Sequence, residues 1–151
     1  WAVASGVADP LRLAILGGSF GGYSALWHLT LGELSWRAGV AICAVSAVGK
    51  AGGLGFRGDP LFAQYWKDIF GAASLDLEVA KAASPLYLLD RLRAPLLLLH
   101  GESDPRVPLK QSNDLAAGVQ QRGCGGAYVT YADEGHGLRK EPNILDMWVR
   151  V

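Results

Sequence analysis

One stretch constrains this chain more than any other. A largely apolar run, Leu11–Leu16, passes directly through Gly17-Gly18-Ser19-Phe20-Gly21-Gly22 into a helical pattern that reaches Leu31. A strand, a turn of small residues and a helix in immediate succession make a sharp strand-to-helix elbow. A serine in G-x-S-x-G at that elbow is lifted over the carboxyl end of the sheet. Gly17, Gly18, Gly21 and Gly22 are expected to supply the room, because glycine carries no Cβ. The simpler use of Ser19 is to cap the helix that follows, but a cap does not require four flanking glycines. If Ser19 is a nucleophile, an acid and then a histidine must follow it along the chain.

The remainder alternates in the same way. Strands are expected at Leu11–Leu16, Gly39–Val45, Pro95–Leu99 and Ala127–Tyr131. Helices are expected at Phe20–Leu31, stopped by Gly32, and at Leu61–Phe70, Leu77–Ala83, Leu109–Gln121 and Pro142–Val151, with a short one at Ser84–Leu89 carrying Pro85 in its first turn. Trp1–Val7 reads as the tail of a helix ending near Gly6. The order implies an α/β architecture with parallel strands buried on both faces. Ligands of such sheets bind at the carboxyl ends of the strands. Ser46–Pro60 is a long connection at one of those ends, where loops tend to be functional. The aromatic cluster Phe62, Tyr65, Trp66 and Phe70 fits a core-facing helix better than a specificity pocket.

Three loops would deliver chemistry to one rim. Asp104 follows the third strand in His100-Gly101-Glu102-Ser103-Asp104-Pro105-Arg106-Val107-Pro108, with Glu102 as the rival acid. A carboxylate there can accept the imidazole Nδ1–H and leave Nε2 available as a base. Taken alone, Asp104 is equally a turn aspartate before proline. His136 is the only histidine after Asp104 and lies in the glycine-flanked loop Asp133-Glu134-Gly135-His136-Gly137. The order Ser19, Asp104, His136 is the one that the elbow requires. His28 reads as a packing or surface residue, and His100 as a strand-end residue bonded to nearby backbone. Asp133 and Glu134 read as loop carboxylates in turns or ion pairs.

Composition narrows the classes. The chain has 151 residues, half of them apolar, and a formal net charge of zero. One domain with a sizeable core fits that length, and nothing in the charge points to nucleic acid or a membrane surface. No apolar run reaches the ~20 residues of a membrane span. Two cysteines cannot make a disulfide framework. Cys43 reads as a core thiol and Cys124 as part of a turn. No Cys/His cluster at ligand spacing appears, so a zinc site is not expected, and acyl transfer by a serine, an acid and a histidine implies no metal or organic cofactor.

The three blocks Gly17-Gly18-Ser19-Phe20-Gly21-Gly22-Tyr23, His100 to Pro108 and Asp133 to Gly137, with Ser84-Pro85 before the second, resemble the catalytic blocks of the prolyl oligopeptidase family. The acylaminoacyl-peptidase-like members are the nearest subgroup by this reading. The resemblance implies a partial α/β-hydrolase fold: the C-terminal half, about four mostly parallel strands with flanking helices. It also implies Ser19, Asp104 and His136 as a catalytic triad, with the Phe20 backbone N–H as one oxyanion donor. In relatives a β-propeller precedes the catalytic domain. Residues 1–151 would then be its C-terminal portion, and the start at Trp1 fits a piece of a longer chain. The loop bearing the second oxyanion donor would lie upstream; losing one such donor lowers kcat by ~10²–10³.

The expected activity is therefore hydrolysis of short peptides by a serine peptidase through an acyl-enzyme, inactive as this piece if the missing half is essential. Activity should fall as pH drops and His136 takes up a proton. The alternatives are a carboxylesterase-like hydrolase, since the same triad cleaves esters, and a non-catalytic truncated hydrolase acting as an interaction domain. A peptide substrate is the expected partner, with self-association through an unpaired sheet edge. A cytoplasmic location is expected.

Overall fold

Four parallel strands, β1 (Ala14–Gly18), β2 (Ala38–Ile42), β3 (Leu96–Gly101) and β4 (Gly126–Tyr131), lie side by side in chain order in the computed structural model. The structure describes residues 1–49, 64, 68 and 77–151. The expected helix Leu61–Phe70, with its aromatic cluster, and the loop beyond Gly49 lie outside the described residues apart from Gln64 and Asp68. Helix α1 (Phe20–Leu31) joins β1 to β2 and stops at Gly32, the residue expected to end it. Helix α2 (Leu77–Ala82) leads to a 3-10 helix, Pro85–Arg91, which opens on Pro85. Helix α3 (Lys110–Gln121) joins β3 to β4, and α4 (Glu141–Arg150) follows β4. The sheet with its flanking helices is part of an α/β-hydrolase-like fold. Among the described residues, no helix is long and apolar enough to cross a membrane.

Strand alternation divides the core between two faces. On one, Ala41, Leu96 and Leu98 pack with Leu26 and Leu29 of α1, Leu89 of the 3-10 helix, and Leu115 and Val119 of α3. On the other, Val40, Leu99 and Tyr131 pack with Met147 of α4. A third cluster, Tyr23, Val45, Val48, Ala83 and Val107, sits beyond the strand ends. There the segment after β2 is held by side chains. The Gln111 amide oxygen accepts the N–H groups of Ser46 (2.9 Å) and Ala47 (2.8 Å), and Ser84 Oγ accepts that of Val48 (2.9 Å).

Three expectations need correction. Trp1–Val7 is a set of turns rather than a helix: Gly6 adopts φ +75°, and Val7 and Ala8 both donate to Ala2 O, which breaks the i to i−4 ladder. β1 starts at Ala14 rather than Leu11, because Leu11 and Arg12 belong to the turn around Asp9: Asp9 Oδ1 accepts the Leu11 N–H and Asp9 O that of Arg12. Nor is β1 buried on both faces. Among the described residues it pairs only with β2, and Leu16 stays 47% exposed.

Candidate active site

The elbow is as tight as its glycines imply. Ser19 sits at φ 55°, ψ −120°, a strained conformation for a residue with a side chain, and α1 begins at Phe20. A Cβ on Gly17 would collide with Gly21 O, and one on Gly22 would come within 2.6 Å of Ala44 Cβ. Gly18 and Gly21 are different. A Cβ on Gly18 would make ordinary contact with Ile42 O at 3.7 Å, and at Gly21 it would meet open space. Two of the four glycines are thus demanded by close approach, not all four. The Ser19 N–H donates to Ile42 O at 2.8 Å, fastening the elbow to the end of β2. Its Oγ makes no capping bond and instead lies 2.9 Å from His136 Nε2.

His136 Nδ1 lies 2.7 Å from Asp104 Oδ2. With the proton on Nδ1, the imidazole donates to the carboxylate and accepts the Ser19 hydroxyl on its other nitrogen. The Asp104 side chain is fully buried. Burial pushes its carboxyl up. The Val107 N–H, His136 and the Arg106 N–H outweigh burial and hold it below the usual carboxylate range. The two N–H donors reach Oδ1 at 2.9 Å and 2.8 Å, so Oδ2 is left for imidazole. Glu102, the rival acid, turns away to accept the Thr130 hydroxyl at 2.6 Å.

His100 is fully buried beneath the acid. Its Nδ1 lies 2.6 Å from Ser112 Oγ, and its Nε2 lies 3.1 Å from Val107 O and 3.3 Å from Asp104 Oδ2. Burial holds this imidazole below the ordinary histidine value, against the raising effects of Val107 O and the Asp104 charge. A neutral ring donating from Nε2 and accepting at Nδ1 satisfies these partners. His28 is exposed and meets the edge of Trp36, as a surface or packing residue should.

The histidine loop is held by its own carboxylates. Glu134 accepts the N–H groups of Arg139 (3.0 Å) and Lys140 (2.8 Å) and the Asn143 amide (2.9 Å), while Asp133 pairs with Lys140 at 2.6 Å. Gly101 lets that loop approach β3, since a Cβ there would come within 2.6 Å of Glu134 O. The three sequence blocks do not single out Gly101, although a glycine closing a buried strand signals such an approach.

Cys43 is buried as expected, but it stands outside the strand expected to include it. It lies just past β2 at φ 47°, with its thiol against the histidine loop: Sγ accepts the Gly137 N–H at 3.4 Å. Burial raises the thiol pKa, opposed by the backbone of Gly101 and Gly137 and reinforced by the Asp104 charge. Donor atoms of Cys43, Asp104 and His136 all fall within 4.8 Å of one another, a cluster that no sequence spacing announced. A zinc ion at ~2.0–2.3 Å from each donor would have to split the Asp104–His136 hydrogen bond. The donor set therefore fits a hydrogen-bonded group better than a metal centre.

The pattern of the prolyl oligopeptidase family matches residues 1–150. The dipeptidyl peptidase family member 6 of Caenorhabditis elegans is 30% identical over 97% of this chain, which covers 20% of that protein. The solved structure of a puromycin-hydrolyzing peptidase from Mycobacterium tuberculosis superposes with a TM-score of 0.87 at 32% identity, over 97% of this chain and 22% of the other. The esterase LipQ of the same organism is 43% identical over 53 residues, 35% of this chain and 12% of the esterase. The chain thus spans about a fifth of the length of the first of these relatives.

Proposed function

We propose that this chain, which belongs to the prolyl oligopeptidase family, carries Ser19, Asp104 and His136 as the triad of a serine peptidase acting on short peptides. One observation carries the reading: a single imidazole bridges Ser19 Oγ at 2.9 Å and a buried carboxylate at 2.7 Å. In the proposed reaction His136 takes the Ser19 proton as Oγ attacks the substrate carbonyl, while Asp104 orients the ring and stabilises the imidazolium. The imidazolium then returns its proton to the leaving amine, an acyl-enzyme remains on Ser19, and water activated by His136 hydrolyses it. The Phe20 N–H, first in α1, is the proposed oxyanion donor. Residues 1–151 act in this reading as the C-terminal portion of a peptidase catalytic domain. The peptidase and dipeptidyl peptidase relatives support a peptide as substrate.

A second reading, an ester-hydrolysing enzyme with the same residues, is supported by the stretch shared with LipQ. A non-catalytic interaction domain is the third reading. A fluorophosphonate probe separates them. Labelling of the chain is expected at Ser19, with loss in Ser19→Ala and His136→Ala; comparison of peptide and ester turnover then chooses between the enzyme readings. Absence of labelling, both in this chain and in a version extended upstream, would falsify both.

A further inference from the structure

We propose that Cys43 is a positioning residue for His136, its buried thiol holding the backbone on both sides of the imidazole. The inference rests on the triad reading above. It starts from backbone strain. Among the described residues only Ser19 and Cys43 combine a side chain with a positive φ, and both border His136. Elsewhere such φ values fall on glycine, as at Gly49, Gly123 and Gly137. Strain kept at a residue other than glycine implies that the side chain is needed where it stands.

The contacts show what the side chain does. Sγ accepts the Gly137 N–H at 3.4 Å and lies 4.0 Å from Gly135 O, toward which the S–H can donate. Gly135 and Gly137 pair with each other in an isolated antiparallel bridge, so His136 occupies the apex of a narrow turn. Neither flanking residue has a side chain with which to anchor that turn. Glu134 ties the approach to the turn through Arg139, Lys140 and Asn143, and the turn itself is met by the Cys43 thiol. Cys43 is itself fixed, with its N–H bound to Leu99 O of β3 at 2.8 Å and the residue 1% exposed. The thiol thus carries the stiffness of the sheet to the loop, and a soft sulfur tolerates the longer distances on its two sides. Sγ also lies within 4.8 Å of donor atoms of Asp104 and His136; the hydrogen bonds to the loop backbone are the ones through which it acts in this proposal.

Cys43→Gly separates this role from a merely structural one, because it deletes the thiol while relieving the positive φ. The expected result is a chain that melts no lower than the parent, with kcat about tenfold lower or more and KM within twofold, since small misplacements of a catalytic group weigh on the chemical step. Cys43→Ser, which keeps a donor and acceptor, should recover most of that loss. A Cys43→Gly chain with parental kcat, or one whose loss of rate tracks a loss of thermal stability, overturns the proposal. A second readout does not depend on turnover: the low-field proton resonance of His136 Nδ1–H bonded to Asp104. It should broaden or shift in Cys43→Gly and return in Cys43→Ser. If neither the parent chain nor a version extended upstream reacts with the fluorophosphonate, the triad's activity is refuted while this resonance still decides the positioning role: a shift supports it, and an unchanged resonance overturns it.

Discussion

Strands β1 and β3 are both short, apolar and parallel, yet their surroundings differ. β3 has a strand on each side; Leu96, Leu98, Leu99 and His100 are all at most 2% exposed. Among the described residues β1 has one neighbour, and Leu16 remains 47% exposed. The candidate acid follows the first kind of strand and the candidate nucleophile the second. Ser19 nevertheless reaches the rim in register, because its elbow is fastened to the next strand. The Ser19 N–H binds Ile42 O, and Gly22 lies against Ala44. Ser19 is indexed to β2 rather than to the burial of the strand that carries it. The burial of a parallel strand is a property of its neighbours as much as of its residues.

Three measurements break or sharpen that contrast. The largest effect belongs to the β3 side. Asp104→Asn should lower kcat by about 10⁴ under the triad reading, because the amide no longer holds the Nδ1–H tautomer. Steady-state kinetics on a labelled peptide or ester read this, and a loss below tenfold would count against Asp104. Next come paired truncations. Leu98→Ala should cost about 2–5 kcal/mol in urea unfolding, from lost transfer energy and a cavity, whereas Leu16→Ala should cost less than about 1 kcal/mol. Equal costs would mean that β1 is covered as well as β3.

The smallest effect is a pH slope. The folded-state value of His100 lies below its ordinary 6.5, so the unfolded chain binds a proton that the native chain refuses. Stability is then full above pH 6.5 and declines as pH falls through that value toward the folded one. Asp104, depressed below 3.8, loses its contribution only when pH falls below that value. Melting temperatures between pH 7.5 and 5 should therefore decline in the parent chain and flatten in His100→Gln. An unchanged slope in the variant would assign the decline elsewhere.

Much of this was legible along the chain. Helix α1 has the expected bounds because an apolar pattern, a glycine elbow and Gly32 mark both ends locally. Ser19, Asp104 and His136 could be paired on paper because the elbow demands an acid and then a histidine. The start of β1 was not legible, since the Asp9 turn competes for Leu11 and Arg12. The excess of required glycines was not legible either: Gly21 differs from Gly17 only in what lies opposite its absent side chain.

Cys43 marks the division most sharply. As a residue in an apolar run it could be read only as a core thiol, and burial did follow. Its contact with the backbone beside His136 joins positions 43 and 137, with β3 and β4 between them in the chain. Periodicity and turn residues report interactions over a few positions, so the order of elements and the elbow are determined by sequence alone. Which side chains meet at the rim depends on strand order and register, and those arise only when the sheet closes over distances that no local pattern encodes.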